Sequence, residues 1–549
     1  MKNKTPRPRY LTKSRFKIGR ECPVKLFYTG KYKYPNVMDD DDFMNSLAEG
    51  GHQVGELAKY YYPGGHDITA LDYETSLNET NELLKQENVI IYEAAVQVED
   101  FFIRVDVLKK VGDTLHLIEV KAKSIGPEKD QFLNNKGEIN GDMKPYLEDV
   151  AFQTYVTRKS FPGLTIEPYL MLSDKSQAAT VNGLNQRFRI VSNSRGRKSV
   201  EIVGDVSLEA LGNQLLAEIP VEQYCDMILS DADFLQDIQD FAKNYKLDRR
   251  IPSNIKFECK NCEYNFPKKD LQDGQINGYE ECWKKELNWK DEDFLKPRVF
   301  DIWNFKARKY IESGIYLTED LDPAEAFSSR DTEEDFFNIH DKQFLQVTNS
   351  LSNNDKEEVV HPRLFTEMDS WTYPLHFIDF ETTTVAIPFY KGMKPYEMTA
   401  FQFSCHTLHK DGTFKHSEWI NKEAGKFPNF EFAKALKDVL DKDDGTVFRF
   451  AAHENTVLRQ IHEQLKIQLI SNQYSPIENA EELRDWIDTI TKTDEHTGDR
   501  NMVDMCDIVK KYYFNAAAKN GSNSIKAVLP AVLSTSKVLE EKYTKPYNS

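Results

Sequence analysis

The sequence predicts an α/β protein built from two α/β domains, the first with a mixed sheet, and three observations predict it. Residues 1–290 alternate helical and extended patterns around a charged hairpin, "FFIRVDVLKKVGDTLHLIEVKAKS" (101–124). A second apolar strand carrying two acids, "LHFIDFETT" (375–383), opens another run of strands and helices that fills 366–549. Residues 291–365 between them read as a helical and acidic linker. Helices and strands interleaved in this way make layered α/β domains.

The elements follow in order. "GHQVGELAKYYYPG" (51–64) reads as a helix that stops at Pro63-Gly64, and "ETNELLKQENVIIYEAAVQVE" as helix then strand. "FFIRVDVLKKV" and "LHLIEVKAKS" are strands joined at the turn signal Gly112-Asp113. "MKPYLEDVAFQTYVTRKSF" reads as an amphipathic helix and "TIEPYLMLSD" as a strand. "DFLKPRVFDIWNFKARKYIESG" looks helical; "SSRDTEEDFF" and "SLSNNDKEEVVHP" look like polar loops. After "LHFIDFETT" come the strand "YEMTAFQFSCHTL", the helix "FEFAKALKDVLDK", the strand "TVFRFAA" and the helix "ENTVLRQIHEQL".

A chain of 549 residues is long enough for large cores, and 40% hydrophobic with 29% charged residues is a globular composition. No stretch approaches the ~20 apolar residues that span a bilayer, and the basic start has no apolar run behind it. A cytoplasmic protein without a membrane partner is expected. The net charge of −18 argues against broad adhesion to nucleic acid. The charge is uneven, however. Residues 1–34 hold eleven Lys and Arg against the single acid Glu21, while acids gather at "DDDD" (39–42) and in 315–360. A basic arm on an acidic body suits local phosphate contact.

The hairpin raises the first chemical question. Glu119 and Lys121 are two apart on a strand and share a face, with Val120 turned to the core. Asp106 opposite Glu119 would bring two carboxylates about 5 Å apart. Such a pair repels unless a cation lies between, and Mg²⁺ or Mn²⁺ with oxygen ligands does this. Bound there, the ion would activate water and stabilise a leaving phosphate oxygen, with Lys121 on the nucleophile or the phosphate. The cysteines add a second question. Cys259 and Cys262 have the C-x-x-C spacing that chelates one metal or cluster, and Cys282 follows within 24 residues. Cys225, Cys405 and Cys506 read as buried small hydrophobes.

"RVD…IEVKAKS" resembles the core of the PD-(D/E)XK nuclease superfamily, with its restriction-endonuclease-like mixed sheet, and specifically the RecB-like and CRISPR-associated exonuclease branches. The resemblance implies that Asp106 and Glu119 hold the metal and that Lys121 is catalytic. His52 in "GHQVGELA" and Glu93 in "IIYEAAV" would assist. Gln153 and Tyr155 in "AFQTYVT" would contact the substrate from the following helix, although the family places the tyrosine four residues after the glutamine. It also implies a 4Fe–4S cluster, with Zn²⁺ as the rival occupant, on Cys22, Cys259, Cys262 and Cys282.

Asp379 and Glu381 repeat the two-residue spacing on an apolar strand, where paired acids are costly without a cation. "PLHFIDFETTT" resembles the first motif of the DEDD exonucleases, which have a ribonuclease H-like fold. "VFRFAAHENTVLRQI" resembles their second, with Glu454 where an aspartate is usual, and "GSNSIKAVLP" their later helical region. The resemblance implies a last catalytic aspartate further on. None follows residue 536, so the second domain is expected to be truncated or to lack a ligand. Asp504 and Asp507 read as the polar face of a helix. Together the two halves resemble a bacterial two-domain family of uncharacterised function.

The resulting expectation is a divalent-metal-dependent nuclease that hydrolyses DNA, favoured over RNA, at single strands or duplex ends, in repair or anti-phage defence. Two rivals remain open: a non-catalytic nucleic-acid-binding scaffold with vestigial sites, and a 3′–5′ exonuclease acting through the second domain alone.

Overall fold

The computed structural model describes residues 8–37, 42–127, 131–192, 198–327, 336–354, 356–423 and 425–543. The first seven residues of the basic arm, three of the four aspartates at 39–42 and residues 328–335 of the acidic stretch lie outside them. The chain forms two compact units, interleaved in sequence. One comprises residues 1–254, 263–282 and 384–397; the other comprises 255–262, 283–383 and 398–549. Both are mixed α/β.

In the first unit the order is β1 (Leu11–Thr12), α1 (Lys13–Glu21), α2 (Pro23–Tyr28), α3 (Asp42–Tyr60), β2 (His66–Asp67), α4 (Tyr73–Leu83), β3 (Asn88–Val98), β4 (Phe101–Val111), β5 (Thr114–Ile125), α5 (Lys144–Ser160), β6 (Thr165–Asp174), β7 (Phe188–Ser192), β8 (Lys198–Ile202) and β9 (Leu216–Pro220). Among the described residues, seven strands make one sheet in the order β2-β3-β4-β5-β6-β9, with β1 added parallel to β4. The pairs β3–β4, β4–β5 and β6–β9 are antiparallel, and β5–β6 is parallel. The β4–β5 turn is Gly112-Asp113, where Gly112 takes φ +57, a conformation glycine adopts without a Cβ penalty.

Alternating side chains feed two cores. Leu117, Leu170 and Leu172 pack with Leu147, Val150, Ala151 and Phe152 of α5. Ile118, Val120 and Met171 pack with Val54, Leu57 and Ala58 of α3. The sheet is therefore covered by helices on both faces. The sequence predicts an amphipathic α5 with a solvated polar side. The structure differs: Glu148, Asp149, Gln153, Thr154 and Thr157 are buried together with the apolar residues. Glu148, Asp149 and Gln153 serve charged partners inside the protein, and the two threonine hydroxyls donate to carbonyls of their own helix.

The second unit contains β10 (Glu358–Val360), β11 (Leu375–Thr383), β12 (Thr399–Leu408), β13 (Phe414–Ile420), β14 (Val447–Arg449), β15 (Val503–Asp504) and β16 (Tyr513–Asn515). Its main sheet runs β13-β12-β11-β14-β15, with β10 and β16 paired separately. In that sheet β11–β12 and β12–β13 are antiparallel, while β11–β14 and β14–β15 are parallel. Phe380 and Phe403 pack edge-on against Phe432 of the helix Asn429–Leu440, anchoring the core on one side of β11.

Two sequence expectations change here. Residues 293–314 are helical only over Arg308–Glu312, apart from short 3₁₀ turns at Asp291–Leu295 and Val299–Asp301. Pro297 disfavours helix at the residue before it, and Asn304 is left-handed at φ +49. "SLSNNDKEEVVHP" is not all loop, because Glu358–Val360 pairs with Tyr513–Asn515. Among the described residues no helix is long and apolar enough to cross a membrane.

Candidate active site

The first acidic site lies where β4 and β5 part. Their last ladder pair is Val107↔Ile118, so Asp106 and Glu119 are the next residues on each strand. One oxygen of Asp106 accepts the Val120 amide at 2.8 Å, which satisfies a donor the ladder no longer serves. The other oxygen is 2.9 Å from the Lys13 ammonium, and the same ammonium is 3.0 Å from both oxygens of Glu119. The two carboxylates thus converge on one cationic point.

Around that point the charges are layered. Lys121 pairs with Glu119 and lies 2.9 Å from Asp149. Gln153 donates to Glu119 at 2.8 Å and to Asp149 at 3.3 Å. Asp149 and Gln153 are four apart on α5 and share a face. Glu119, Asp149 and Gln153 are fully buried. On the other side, the pairs Tyr92↔Val107 and Ala94↔Val105 leave Glu93 facing Asp106. Glu93 takes φ +54 in mid-strand, a strained conformation for a non-glycine, and Arg104 lies 3.5 Å from it.

The electrostatics follow from this layering. Burial and then Glu119 push the Asp106 carboxyl above its ordinary range, against the pull of Lys13 and Lys121. Asp149 is raised by burial and by Glu119, and Glu93 by burial and by Asp106. Burial opposes ionisation of Glu119 too, but Lys121 and Lys13 prevail and hold it well below the usual carboxylate range. Burial lowers both lysines, and the carboxylates more than reverse it, so both are held as ammonium.

Of the residues predicted from sequence, Asp106, Glu119, Lys121 and Gln153 come together, with Glu93 beside Asp106. Two do not join them. His52 is exposed on α3, which packs on the sheet face opposite α5. Tyr155 lies about 200° round α5 from Gln153; it packs edge-on to Phe101 and accepts from Gln239 at 2.7 Å. Sequence reasoning missed Lys13 and Asp149. The i,i+4 spacing to Gln153 would have found Asp149. Lys13 is 93 residues from Asp106, and no local pattern marks it.

The second acidic site lies in the other unit. Asp379 and Glu381 are exposed near the end of β11, and β11 bulges between Glu381 and Thr382. Glu454 sits in the first turn of the helix His453–Ser471, which follows β14. It is buried, and its Oε2 has no hydrogen-bond partner among the described residues. Burial and then Asp379 push its carboxyl up to about 7, with Asp504 adding to the rise and Arg449 opposing it. Asp504 ends β15 and caps the next helix, accepting from the Cys506 amide at 3.0 Å and the Asp507 amide at 3.3 Å. It also pairs with the buried Arg449 at 3.0 Å. The expectation that Asp504 and Asp507 share a helix's polar face is therefore corrected. Asp507 faces outward to Lys511, whereas Asp504 is held inward by Arg449 at the end of the parallel strands.

A divalent cation suits the first site on its donor set. Two carboxylates already converge on a cation there, and Mg²⁺ is commonly held by one or two carboxylates plus water and phosphate. Among the described residues no group of three or more His, Cys, Asp or Glu is arranged as a complete metal cage. Cys22 separates α1 from α2, and Cys282 lies in the first unit with its sulfur 3.6 Å from Arg250. Cys259 and Cys262 belong to the second unit, on and just after the 3₁₀ turn Phe257–Asn261. Cys225, Cys405 and Cys506 are buried, as expected.

Residues 376–524 match a family described as a domain of unknown function (DUF2779). That stretch contains Asp379, Glu381, Glu454 and Asp504. A comparison of the chain with curated proteins gives no match.

Proposed function

We propose that the protein is a divalent-metal-dependent nuclease that hydrolyses DNA phosphodiesters at the Asp106–Glu119 site, with single strands or duplex ends as substrate. The observation that carries this is the convergence of both carboxylates on one cation, 2.9 and 3.0 Å away, with a second lysine beside them. The hairpin followed by α5, with Gln153 on Glu119, supports a PD-(D/E)XK-like first unit. The order β13-β12-β11-β14-β15 supports a ribonuclease H-like second sheet.

Asp106 and Glu119 would hold Mg²⁺ or Mn²⁺, which when bound supplies Lewis-acid and water-activating chemistry. The chain's own groups do the rest. Gln153 fixes the rotamer of Glu119. Asp149 holds Lys121 so that its ammonium meets the negative charge developing on the phosphate. Glu93, kept above its ordinary pKa beside Asp106, is placed to accept or pass a proton.

A second reading, 3′–5′ exonuclease action at Asp379, Glu381 and Glu454, draws support from the unpartnered buried oxygen of Glu454 beside the carboxylates of Asp379 and Asp504. End-labelled single-stranded DNA incubated with Mg²⁺ or Mn²⁺ separates the readings. Asp106→Asn and Lys121→Ala should each reduce cleavage by about 100-fold or more, while Asp379→Asn leaves it within about threefold. Loss only with Asp379→Asn moves the activity to the second site. No cleavage by the wild type favours a binding scaffold. Iron, sulfide and zinc analysis of fresh protein decides the class of metal on the cysteines.

A further inference from the structure

Lys13 is the one site residue that no sequence pattern marks, and its geometry sets it apart from Lys121. Both touch Glu119, but Lys13 alone bridges Asp106 and Glu119. Lys121 comes from the same strand as Glu119 and has Asp149 as a second anchor. Lys13 is the first residue of α1, immediately after β1 pairs Leu11 with Phe101 and Thr12 with Phe102 on the strand that bears Asp106. Its backbone is therefore fixed to the site, while its side chain reaches in on four methylenes. The Lys13 side chain is 24% exposed and Asp106 is 23% exposed, whereas Glu119 is wholly buried behind them. Lys13 thus stands on the solvent side of the carboxylate pair, where another cation would enter.

We propose that Lys13 is a built-in counter-ion that a divalent cation must displace to reach Asp106 and Glu119, so that Lys13 regulates metal loading of the site. This rests on the nuclease reading of the same residues. A divalent cation held between Asp106 and Glu119 would take the position that the Lys13 ammonium occupies, and two cations at that point repel. Without metal the ammonium neutralises carboxylates that would otherwise repel in a poorly solvated pocket. With metal it swings outward, since its outer side already meets solvent. The apparent metal affinity is then reduced by the small fraction of molecules whose Lys13 is out.

The test measures Mn²⁺ binding to the full chain by titration calorimetry and by the electron-spin resonance of free Mn²⁺. The part lost on Asp106→Asn defines this site. Lys13→Met should tighten that part by about tenfold or more. In parallel, Lys13 of the wild type is acylated with an amine-reactive ester and read by mass spectrometry, with EDTA and with Mn²⁺. Lys13 should be protected in EDTA and become reactive when Mn²⁺ is added. This second readout stands even if Lys13→Met does not fold. If Asp106-dependent binding is found but Lys13→Met leaves it unchanged and Mn²⁺ does not expose Lys13, the displacement is overturned and the nuclease site stands. If neither protein shows Asp106-dependent Mn²⁺ binding, both fall.

Discussion

The two acidic sites of this chain solve the same electrostatic problem in different ways. At the first, Asp106 gathers with the buried Glu119 and Asp149, and two lysines from the protein pair with the three carboxylates. At the second, Asp379 and Glu381 stay exposed, Arg449 is committed to Asp504, and the buried Glu454 is left to a proton. A buried carboxylate must obtain a counter-charge from the chain, a proton or a bound ion. The first site carries counter-charge internally, on Lys13 and Lys121. The second is short of positive charge, so pH and added ions act on it directly.

This difference is broken most sharply by removing one internal cation. Lys121→Met leaves Glu119 and Asp149 facing each other, both fully buried. Loss of one partner from a buried ionic cluster costs about 3–5 kcal/mol. The equivalent disturbance at the second site, Glu381→Ala, removes an exposed charge and should change stability by less than about 0.5 kcal/mol. Urea unfolding at pH 7.5 in EDTA measures both. Similar effects from the two substitutions would show that the first cluster is solvated and not internally balanced.

The sequence made the acids of both sites legible, and much less of what neutralises them. Strand alternation brings Glu119 and Lys121 to one face, and the Gly112-Asp113 turn fixes the register that leaves Asp106 beside Glu119. These are short-range rules, and they worked over residues 101–124. Asp149 is within reach of the helical i,i+4 rule, but the amphipathic pattern of α5 places its polar residues in water. Lys13 depends on β1 joining β4 at an offset of 90 residues, Leu11 to Phe101, which no local period encodes. Asp504 was obscured because β15 is only two residues long, too short to show a strand pattern, so its acid was absorbed into the helix that follows. Pro297 was a visible stop signal inside a segment read as helix.

A proton on Glu454 predicts a pH dependence at the second site that a substitution there removes. Its carboxyl is raised from the ordinary 4.5 to about 7, so between those values the folded protein binds the proton and the unfolded chain does not. The stability this contributes is complete below about pH 4.5 and is lost as pH rises through about 7. The gap corresponds to at most about 3 kcal/mol. Glu454→Gln mimics the protonated form. In EDTA it should match the wild type at about pH 4 and exceed it by up to about 3 kcal/mol at pH 8. Equal stabilities at pH 8 would mean that Glu454 is ionised at no cost, and the contrast with the first site would narrow.

The smallest expected effect separates the two aspartates at the start of the helix Met505–Tyr512. Asp507 pairs with Lys511 one turn on, at 2.8 Å on the surface, and such exposed pairs contribute at most about 0.5 kcal/mol. Asp507→Ala should therefore be nearly silent in stability. Asp504→Asn keeps the cap, since asparagine is as good a cap as aspartate, but deletes the charge that faces the buried Arg449 at 3.0 Å. Charge-assisted hydrogen bonds of this kind contribute about 1.5–3 kcal/mol. The retained amide oxygen recovers part of that, so a loss of about 1 kcal/mol is expected. Asp504→Asn also removes a negative neighbour of Glu454 and so moves the pH transition of that residue downward, which Asp507→Ala does not. If Asp507→Ala shifts that transition and Asp504→Asn does not, then Asp507 is the aspartate that belongs to the second site, and Arg449 holds a purely structural cap.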